Sequence, residues 1–157
     1  MSNILEQDYT TAASRADDST TTLFLGFIID DEHFAVEISN IKEIIGVQRF
    51  AYVPQTENFI KGIFNLRGDI VPVIDVRLRF MKPEKEYTDE TCIVVVIYQD
   101  YILGLIVDAI LGVYPIKSEM ISAPPSANLN YQNQFVKNVG RCDDGIKLLL
   151  DLERLIF

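Results

Sequence analysis

The stretch that decides the fold runs from Asn65 to Arg77 and reads Asn-Leu-Arg-Gly-Asp-Ile-Val-Pro-Val-Ile-Asp-Val-Arg. Gly68 can take a positive backbone φ, so it predicts a tight turn beside Arg67. The apolar run at 70–74 that follows at once is too continuous to be anything but a buried strand. Nothing in the stretch is suited to covalent chemistry. An arginine held on the rim of a rigid barrel predicts a docking group.

Composition indicates a globular protein with ample apolar residues for a core. The 157 residues are 48% hydrophobic and 10% aromatic, enough for one compact unit or two small packed halves. The 14 basic and 23 acidic residues give a net charge of -9, which disfavours nucleic acid and anionic membranes as direct partners. No apolar run approaches the roughly 20 residues that span a bilayer, and no signal peptide is recognisable, so we expect a cytoplasmic protein without membrane insertion.

Short apolar runs alternate with turn signals from residue 23 onward, which predicts an all-β barrel or sandwich. The predicted strands are residues 23–29, 34–38, 41–47, 70–74, 92–98, 102–107, 110–115 and 146–150. Residues 1–22 are rich in Ser, Thr, Asp and Ala, and we expect a flexible tail there. Residues 81–90 are charged and contain a proline, which predicts a loop between two halves.

The two halves of the chain resemble each other. A shift of 69 residues places 35–44 over 104–113, and a shift of 76 places 61–75 over 137–151. Each copy is small for an independent core, so two packed barrels are expected, at about 23–90 and 91–157.

Short helical patterns follow the last strand of each copy. Asp75 and Asp151 precede these patterns and are expected to be helix N-caps. One arrangement left open is that the C-terminal helix packs against the other half.

Residues that would support catalysis or metal binding are sparse. The single histidine, His33, has no companions at metal-ligand spacing, and Cys92 and Cys142 form no Cys-x-x-Cys pair. Phosphate-loop, dinucleotide-binding and nucleophile-elbow motifs do not occur, so neither a cofactor nor a metal is expected. Asp75 and Asp108 could form a catalytic carboxylate pair in a cleft between the barrels, which leaves an enzyme as the alternative; we favour capping for Asp75 and a strand-end hydrogen bond for Asp108.

The line from Phe59 to Arg77, Phe-Ile-Lys-Gly-Ile-Phe-Asn-Leu-Arg-Gly-Asp-Ile-Val-Pro-Val-Ile-Asp-Val-Arg, resembles the signature of the CheW family of chemotaxis coupling proteins. Residues 105–108 and 121–124 resemble the second half of that family, and the likeness runs from about residue 23 to 157. It implies two packed SH3-like barrels of five strands each, with short helices. It also implies a non-enzymatic adaptor joining the regulatory domain of the histidine kinase CheA to the cytoplasmic tips of chemoreceptors, within membrane-associated receptor arrays.

The resemblance assigns a receptor-binding groove between the two halves. Arg67 is its central residue, because a guanidinium offers a planar fork of five donors. The other residues assigned to this groove are Asn65, Leu66, Gly68, Thr91 and Cys92, with Leu105 and Val107 as its floor. The alternative for Arg67 is an intramolecular ion pair that fastens the halves together, and the neighbouring Asp69 could also pair with it.

The resemblance assigns kinase contact to the segment from Ile41 to Val47. On a regular strand, Ile41, Glu43, Ile45 and Val47 share one face and Lys42, Ile44 and Gly46 share the other, so large apolar side chains point both ways. A small barrel buries only one of these faces. An exposed apolar strip is therefore expected, formed by Ile41, Glu43, Ile44, Ile45 and Val47. The alternative is that the second barrel covers the strip. Self-association into rings, and service in another chemosensory pathway such as twitching motility, remain open at this point.

Overall fold

A computed structural model describes residues 20–124 and 131–157. The strands are β1 (Thr21–Ile29), β2 (Glu32–Glu37), β3 (Ile41–Gly46), β4 (Ile60–Leu66), β5 (Asp69–Asp75), β6 (Cys92–Tyr98), β7 (Tyr101–Val107), β8 (Ala109–Lys117), β9 (Ile121–Ser122), β10 (Val136–Cys142) and β11 (Gly145–Leu150). The α-helices are α1 (Val76–Arg79) and α2 (Leu152–Ile156), and short 3-10 helices occupy Ile38–Asn40, Ser118–Met120 and Tyr131–Phe135. Among the described residues, no helix is long and apolar enough to cross a bilayer.

The predicted strands are confirmed, with ends that move by up to two residues. Sequence reasoning missed β4, β9 and β10. Gly and polar residues such as Lys61, Gly62 and Asn138 interrupt the apolar pattern of the two longer ones. Thr21 and Thr22 belong to β1 and not to the expected tail, while the remainder of that tail, residues 1–19, lies outside the described residues.

The strands form two sheets, here called lobe A and lobe B. Lobe A is six-stranded in the order β8-β1-β2-β11-β10-β9, and lobe B is five-stranded in the order β3-β6-β7-β5-β4. Lobe A has one strand more than expected because the two-residue β9 pairs with β10. The all-β, two-lobed fold is thereby confirmed.

Each lobe contains strands from both halves of the chain. Lobe A joins β1 and β2 of the first half to β8, β10 and β11 of the second, and lobe B joins β3, β4 and β5 to β6 and β7. The expected division into consecutive barrels at 23–90 and 91–157 is therefore wrong. The repeat itself survives: the first two strands of each copy have exchanged lobes.

Strand register shows how closely the two lobes correspond. Leu25 pairs with Val113 in lobe A, and the equivalent Val94 pairs with Ile44 in lobe B. The parallel pairs also correspond, Leu149 with Ala35 in lobe A and Val73 with Gly104 in lobe B. Each lobe thus repeats the other's pairing under the shifts of 69 and 76 residues.

The largest hydrophobic cluster lies between the lobes. Strands from both sheets contribute to it, including Phe27 and Val36 from lobe A and Val94 and Leu105 from lobe B, all at most 1% exposed. Alternate residues of the same strands, such as Ile93, point the other way into a separate core within one lobe. Burial on both faces explains why these strands are almost uninterrupted apolar runs.

Arg79 of α1 links the lobes at the helices. Its guanidinium lies 4.5 Å from the ring centroid of Phe59 and 4.7 Å from that of Phe135, two residues that are equivalent under the shift of 76. It also donates hydrogen bonds to the carbonyl oxygens of Leu155 and Arg154, at 3.0 and 3.1 Å. One side chain thus satisfies free carbonyls of α2 while stacking between the two copies.

Candidate functional site

Arg67 lies in the turn between β4 and β5. The turn has two residues, Arg67 at φ 50° and Gly68 at φ 94°, and a two-residue hairpin with both values positive matches the right-handed twist of its strands. The side-chain oxygen of Asn65 accepts a hydrogen bond from the Gly68 amide at 2.9 Å. The backbone is thus fixed while the Arg67 side chain remains 71% exposed.

Two ion pairs connect this turn to β3, on the opposite edge of the same sheet. Arg67 Nη1 donates to the carboxylate of Glu43, and Lys42 Nζ lies 3.5 Å from Asp69 Oδ2. The hydrogen bond that Arg67 donates to Glu43, together with the negative charge of Glu43, raises the pKa of Arg67. Because the four residues belong to lobe B, these pairs close that lobe and do not fasten the lobes together.

The ion pair of Arg67 therefore differs from the alternative considered, because it does not fasten the halves together. Arg67 has an intramolecular partner, Glu43, yet its guanidinium remains open to solvent. Asp69 pairs with Lys42 and does not compete for it. A guanidinium has five N–H donors, so pairing through Nη1 leaves others for a second acceptor.

The remaining residues assigned to the receptor groove divide by burial. Cys92 is half-buried opposite Val107 in the sheet, and burial raises the pKa of its thiol. Thr91 is 8% exposed, and its hydroxyl oxygen accepts a hydrogen bond from the Thr88 amide at 2.9 Å. Thr91 and Cys92 therefore lie at the start of β6, and only Cys92 offers much surface.

Three further residues assigned to the groove are buried inside the protein. Leu105 and Val107 have no exposed area and belong to the core between the lobes, and Leu66, 9% exposed, packs inside lobe B. A groove floor made by Leu105 and Val107 was the wrong expectation, because β7 is a central strand covered on both faces. Asn65, Arg67 and Gly68 are the exposed members.

The β3 segment carries a β-bulge that changes its faces. Register shifts between Ile41 and Glu43, so Lys42 is the extra residue. As a result Ile41 packs with Ile44 against the core between the lobes, whereas Ile45 packs against the core of lobe B. The expectation that Ile41 and Ile45 share one face is wrong for this reason.

The expected exposed apolar strip is much reduced. Ile44 is 9% exposed, Ile41 and Ile45 are half-buried, and Val47 is exposed at 37%. Glu43 is half-buried beside Arg67. The core between the lobes covers Ile41 and Ile44. The surface that remains consists of Glu43, the outer part of Ile45, and Val47.

The two carboxylates considered for catalysis both have structural partners. Asp75 caps α1 by accepting from the amides of Arg77 and Leu78, at 3.0 and 3.4 Å, and from the Tyr87 hydroxyl at 3.2 Å. Burial raises the pKa of Asp75, and these hydrogen bonds offset part of that shift. Asp108 pairs with Arg77 at 2.9 Å. The capping and strand-end interpretations are confirmed.

Other predicted features were also located. Asp151 caps α2 through the amide of Arg154 at 3.3 Å. His33 lies within β2 opposite Ile28. Across residues 20–124 and 131–157, no group of three or more His, Cys, Asp or Glu side chains is placed to hold a metal ion.

Sequence reasoning missed two buried cations. Arg77, 8% exposed, forms an ion network between the lobes, and Lys147, with no exposed area, donates to Asp144 at 2.7 Å and lies 4.5 Å from the ring centroid of Tyr114. The Tyr114 hydroxyl also donates to Asp144 at 2.8 Å, which connects β8 to the β10–β11 turn. In the sequence, each of these cations is a charged residue within an apolar segment. That pattern does not show whether the charged side chain is buried or exposed.

The chain is similar to known proteins in both sequence and structure. The family model described as CheW-like domain matches residues 23–156. The chemotaxis protein CheW of Helicobacter pylori is 36% identical over 152 residues, covering 96% of this chain and 91% of the relative. The chemotaxis protein CheW of Klebsiella aerogenes is 28% identical over 146 residues, covering 93% and 88%. The crystal structure of the scaffolding protein TtCheW from Thermoanaerobacter tengcongensis matches with a TM-score of 0.79 and 30% identity, covering 85% of this chain and 91% of that one.

Proposed function

Since the chain belongs to the CheW family of chemotaxis scaffold proteins, we propose that it is a non-enzymatic adaptor coupling the histidine kinase CheA to the cytoplasmic tips of chemoreceptors. It works in the cytoplasm, at membrane-associated receptor arrays. The observation that carries the proposal is Arg67, exposed on a rigid turn and paired with a residue of the neighbouring β3 edge.

The receptor surface consists of the turn residues Asn65, Arg67 and Gly68, together with Cys92 and the adjoining Thr91. A rigid turn lowers the entropy lost when a partner binds, because its backbone is ordered beforehand. The fork of the Arg67 guanidinium suits carboxylate or carbonyl oxygens at the bend of a helical hairpin. Leu66, Leu105 and Val107 support this surface from within.

The kinase surface lies along β3. This strand is an edge of lobe B. It carries the partly exposed Glu43 and Ile45, and the exposed Val47 follows its last residue. An edge strand with partly exposed aliphatic side chains offers both backbone hydrogen bonds and apolar contact to a partner domain. Ile41 and Ile44 contribute by holding β3 against the core between the lobes.

The two surfaces adjoin at the Arg67–Glu43 pair. A receptor group that takes hydrogen bonds from Arg67 alters the charge beside β3. An adaptor with adjoining surfaces raises the local concentration of kinase at receptors, and each contact need only be about micromolar in a multivalent array.

Reconstitution tests the proposal directly. A receptor signalling fragment, the kinase and this protein are mixed, and kinase autophosphorylation is followed as each component is omitted. We expect receptor-dependent control of the kinase only when all three are present. Receptor control that persists without this protein would refute the adaptor, and turnover of hydrolase substrates by the purified chain would favour an enzyme.

Arg67→Glu is expected to weaken receptor binding by roughly 10- to 100-fold, the size of a lost charge-assisted hydrogen bond, while the fold stays intact. Binding is measured by pull-down and titration with the receptor fragment, and folding by circular dichroism. Arg141→Glu makes the same charge change at an exposed position of lobe A and serves as the control. Unchanged receptor affinity in a folded Arg67→Glu protein would remove Arg67 from the docking surface.

Val47→Asp is expected to weaken binding of the CheA regulatory domain by roughly tenfold, because a carboxylate desolvated in an apolar contact is costly. Val47 is exposed, so the substitution leaves the core unchanged. Ile97→Asp, at a side chain that is 40% exposed on β6, is the matched control. Equal kinase affinity for wild type and Val47→Asp, measured by calorimetry, would place the kinase contact elsewhere.

A further inference from the structure

Arg77 uses all three guanidinium nitrogens within the protein. Nη1 donates to Asp108 at 2.9 Å, Nη2 to Asp30 at 3.2 Å, and Nε to the carbonyl oxygen of Pro83 at 3.2 Å. Its side chain is 10% exposed. A buried guanidinium with a partner at each of its nitrogens holds its neighbours in fixed positions, because breaking any contact leaves a desolvated polar group unpaired.

This network joins the two lobes. Arg77 belongs to α1, directly after β5 of lobe B, whereas Asp30 lies in the β1–β2 turn of lobe A. The Asp30 amide donates to Asp108 at 2.8 Å, and the Asp108 amide donates to the carbonyl oxygen of Ile28 at 3.0 Å. Lys82 lies 3.5 Å from Asp30. The β1–β2 turn is thus held to α1 and to the segment that follows it.

The repeat supplies an internal comparison. Under the shifts of 69 and 76 residues, Arg77 corresponds to Glu153, Asp108 to Ser39 and Asp30 to Gln99. The backbone pairing is the same at both junctions, but Glu153, Ser39 and Gln99 reproduce neither the cation nor the two carboxylates of the Arg77 network. The equivalent junction therefore forms without such a network, so the strand pairing does not itself require these charges.

The network lies directly behind part of the proposed receptor surface. Asp108 follows Val107, which is paired with Cys92 in the sheet. Arg77, Asp108 and Thr91 line one small cavity. A change in the network therefore acts on Thr91 and Cys92 through one layer of contacts, whereas β3, which pairs with β6 on the side away from β7, is one strand further from the network.

We propose that Arg77 is a positioning residue whose contacts with Asp30 and Asp108 set the angle between the lobes, and with it the shape of the receptor surface at Thr91 and Cys92. The first part concerns the molecule alone. The second part rests on the proposed function, because it requires that a receptor binds there.

Asp30→Asn and Asp31→Asn form a matched pair for the test. Both residues are exposed in the same turn with positive φ, at 52° and 67°, a conformation that asparagine tolerates well. Asp30 contacts Arg77 and Lys82, whereas Asp31 has no ion pair among the described residues. Each variant removes one charge, and only Asp30→Asn weakens the network. Arg77→Met is the stronger variant.

The lobe angle is measured as the distance between two spin labels, one at Ile70 in lobe B and one at Ile146 in lobe A. These positions are equivalent in the repeat and are 57% and 56% exposed. Cys92 and Cys142 are replaced by alanine so that only the two chosen positions are labelled. We expect a broader distance distribution for Asp30→Asn than for wild type and Asp31→Asn. In unlabelled proteins we expect receptor-fragment affinity to fall roughly three- to fivefold, the size of a partly exposed ion pair, with a smaller fall in kinase affinity because β3 lies one strand further from the network.

The outcomes separate the two parts of the proposal. An unchanged distance distribution in Asp30→Asn and in a folded Arg77→Met protein overturns the positioning role, and if Arg77→Met does not fold, Asp30→Asn alone decides. A broader distribution with unchanged receptor affinity overturns the link to docking. If wild type binds no receptor fragment, the proposed function fails, while the distance measurement still decides whether Arg77 sets the lobe angle.

Discussion

Arg67 and Arg77 show how surroundings decide what an arginine does. Arg67 is 71% exposed with one partner on its own lobe, so it can exchange that contact for one with another protein. The side chain of Arg77 is 10% exposed and lies between two carboxylates and a carbonyl oxygen. Breaking these contacts to bind a ligand would leave buried charges unpaired, which costs more free energy than the new contact would supply. The exposed arginine is therefore assigned to docking and the buried one to positioning.

Asp30 gives the network a dependence on pH. Burial raises the pKa of Asp30, but the charges and hydrogen bonds of Arg77 and Lys82 outweigh it, and the pKa lies below its ordinary value of 3.8. A carboxyl whose folded pKa is lowered contributes stability that is present above the unfolded pKa and is lost as pH falls through the folded one.

We therefore expect Asp30→Asn to be less stable than wild type at pH 7, by at most about 1 kcal/mol, and the difference to vanish as pH falls through the lowered pKa of Asp30. The difference is measured by urea unfolding of both proteins in a series of buffers from about pH 2.5 to about pH 7. Taking the difference removes the opposite contribution of Asp75, whose pKa burial raises. A stability difference that stays constant with pH would show that Asp30 acts through something other than its charge.

At the scale of elements, one extra residue in a strand decides which surface a side chain reaches. The bulge at Lys42 turns Ile41 toward the core between the lobes and leaves Ile45 on the other face. An equivalent register shift occurs at Ile110 to Gly112 in β8, and another pair lies at Ile60 to Gly62 and Val136 to Asn138. Bulges at equivalent positions in both copies indicate that they belong to the fold.

Gly62 in β4 is a position where a side chain cannot fit. Its φ is 155°, and an added Cβ would lie 2.4 Å from the carbonyl oxygen of Ala51, which pairs with Ile63 next to it. We expect Gly62→Ala to lower the free energy of unfolding by about 1 to 3 kcal/mol. Gly46→Ala, with no atom within 4 Å of the added Cβ, is the control and should change little. Equal urea midpoints for the two variants would contradict the predicted clash.

At the scale of the whole molecule, exchange of strands makes the lobes interdependent. Each lobe takes strands from both halves of the chain, and the main core lies between the lobes. Arg79 and the Arg77 network add polar contacts across the same boundary. The repeated unit is therefore not a unit of folding, although it is visible in the sequence.

Two fragments, residues 1–90 and 91–157, are expected to be unfolded when separate and to recover strand structure when mixed. The first fragment has β1 and β2 without their partners β8 and β11, and the second has β6 and β7 without β3 and β5. Circular dichroism of each fragment and of the equimolar mixture measures this. Cooperative unfolding by either fragment alone would contradict the interdependence of the lobes.

The sequence by itself determined the main strands, the repeat, the N-caps at Asp75 and Asp151 and the turn that presents Arg67. These depend on residues close together in the chain, whose periodicity and turn chemistry are local. Only the tertiary structure decided that the first two strands of each copy exchange lobes, that Ile41 and Ile45 face different cores, and that Arg77 is buried. Those features arise from pairing between residues some 50 to 115 positions apart, and a local pattern of apolar and polar residues is the same for each possible partner.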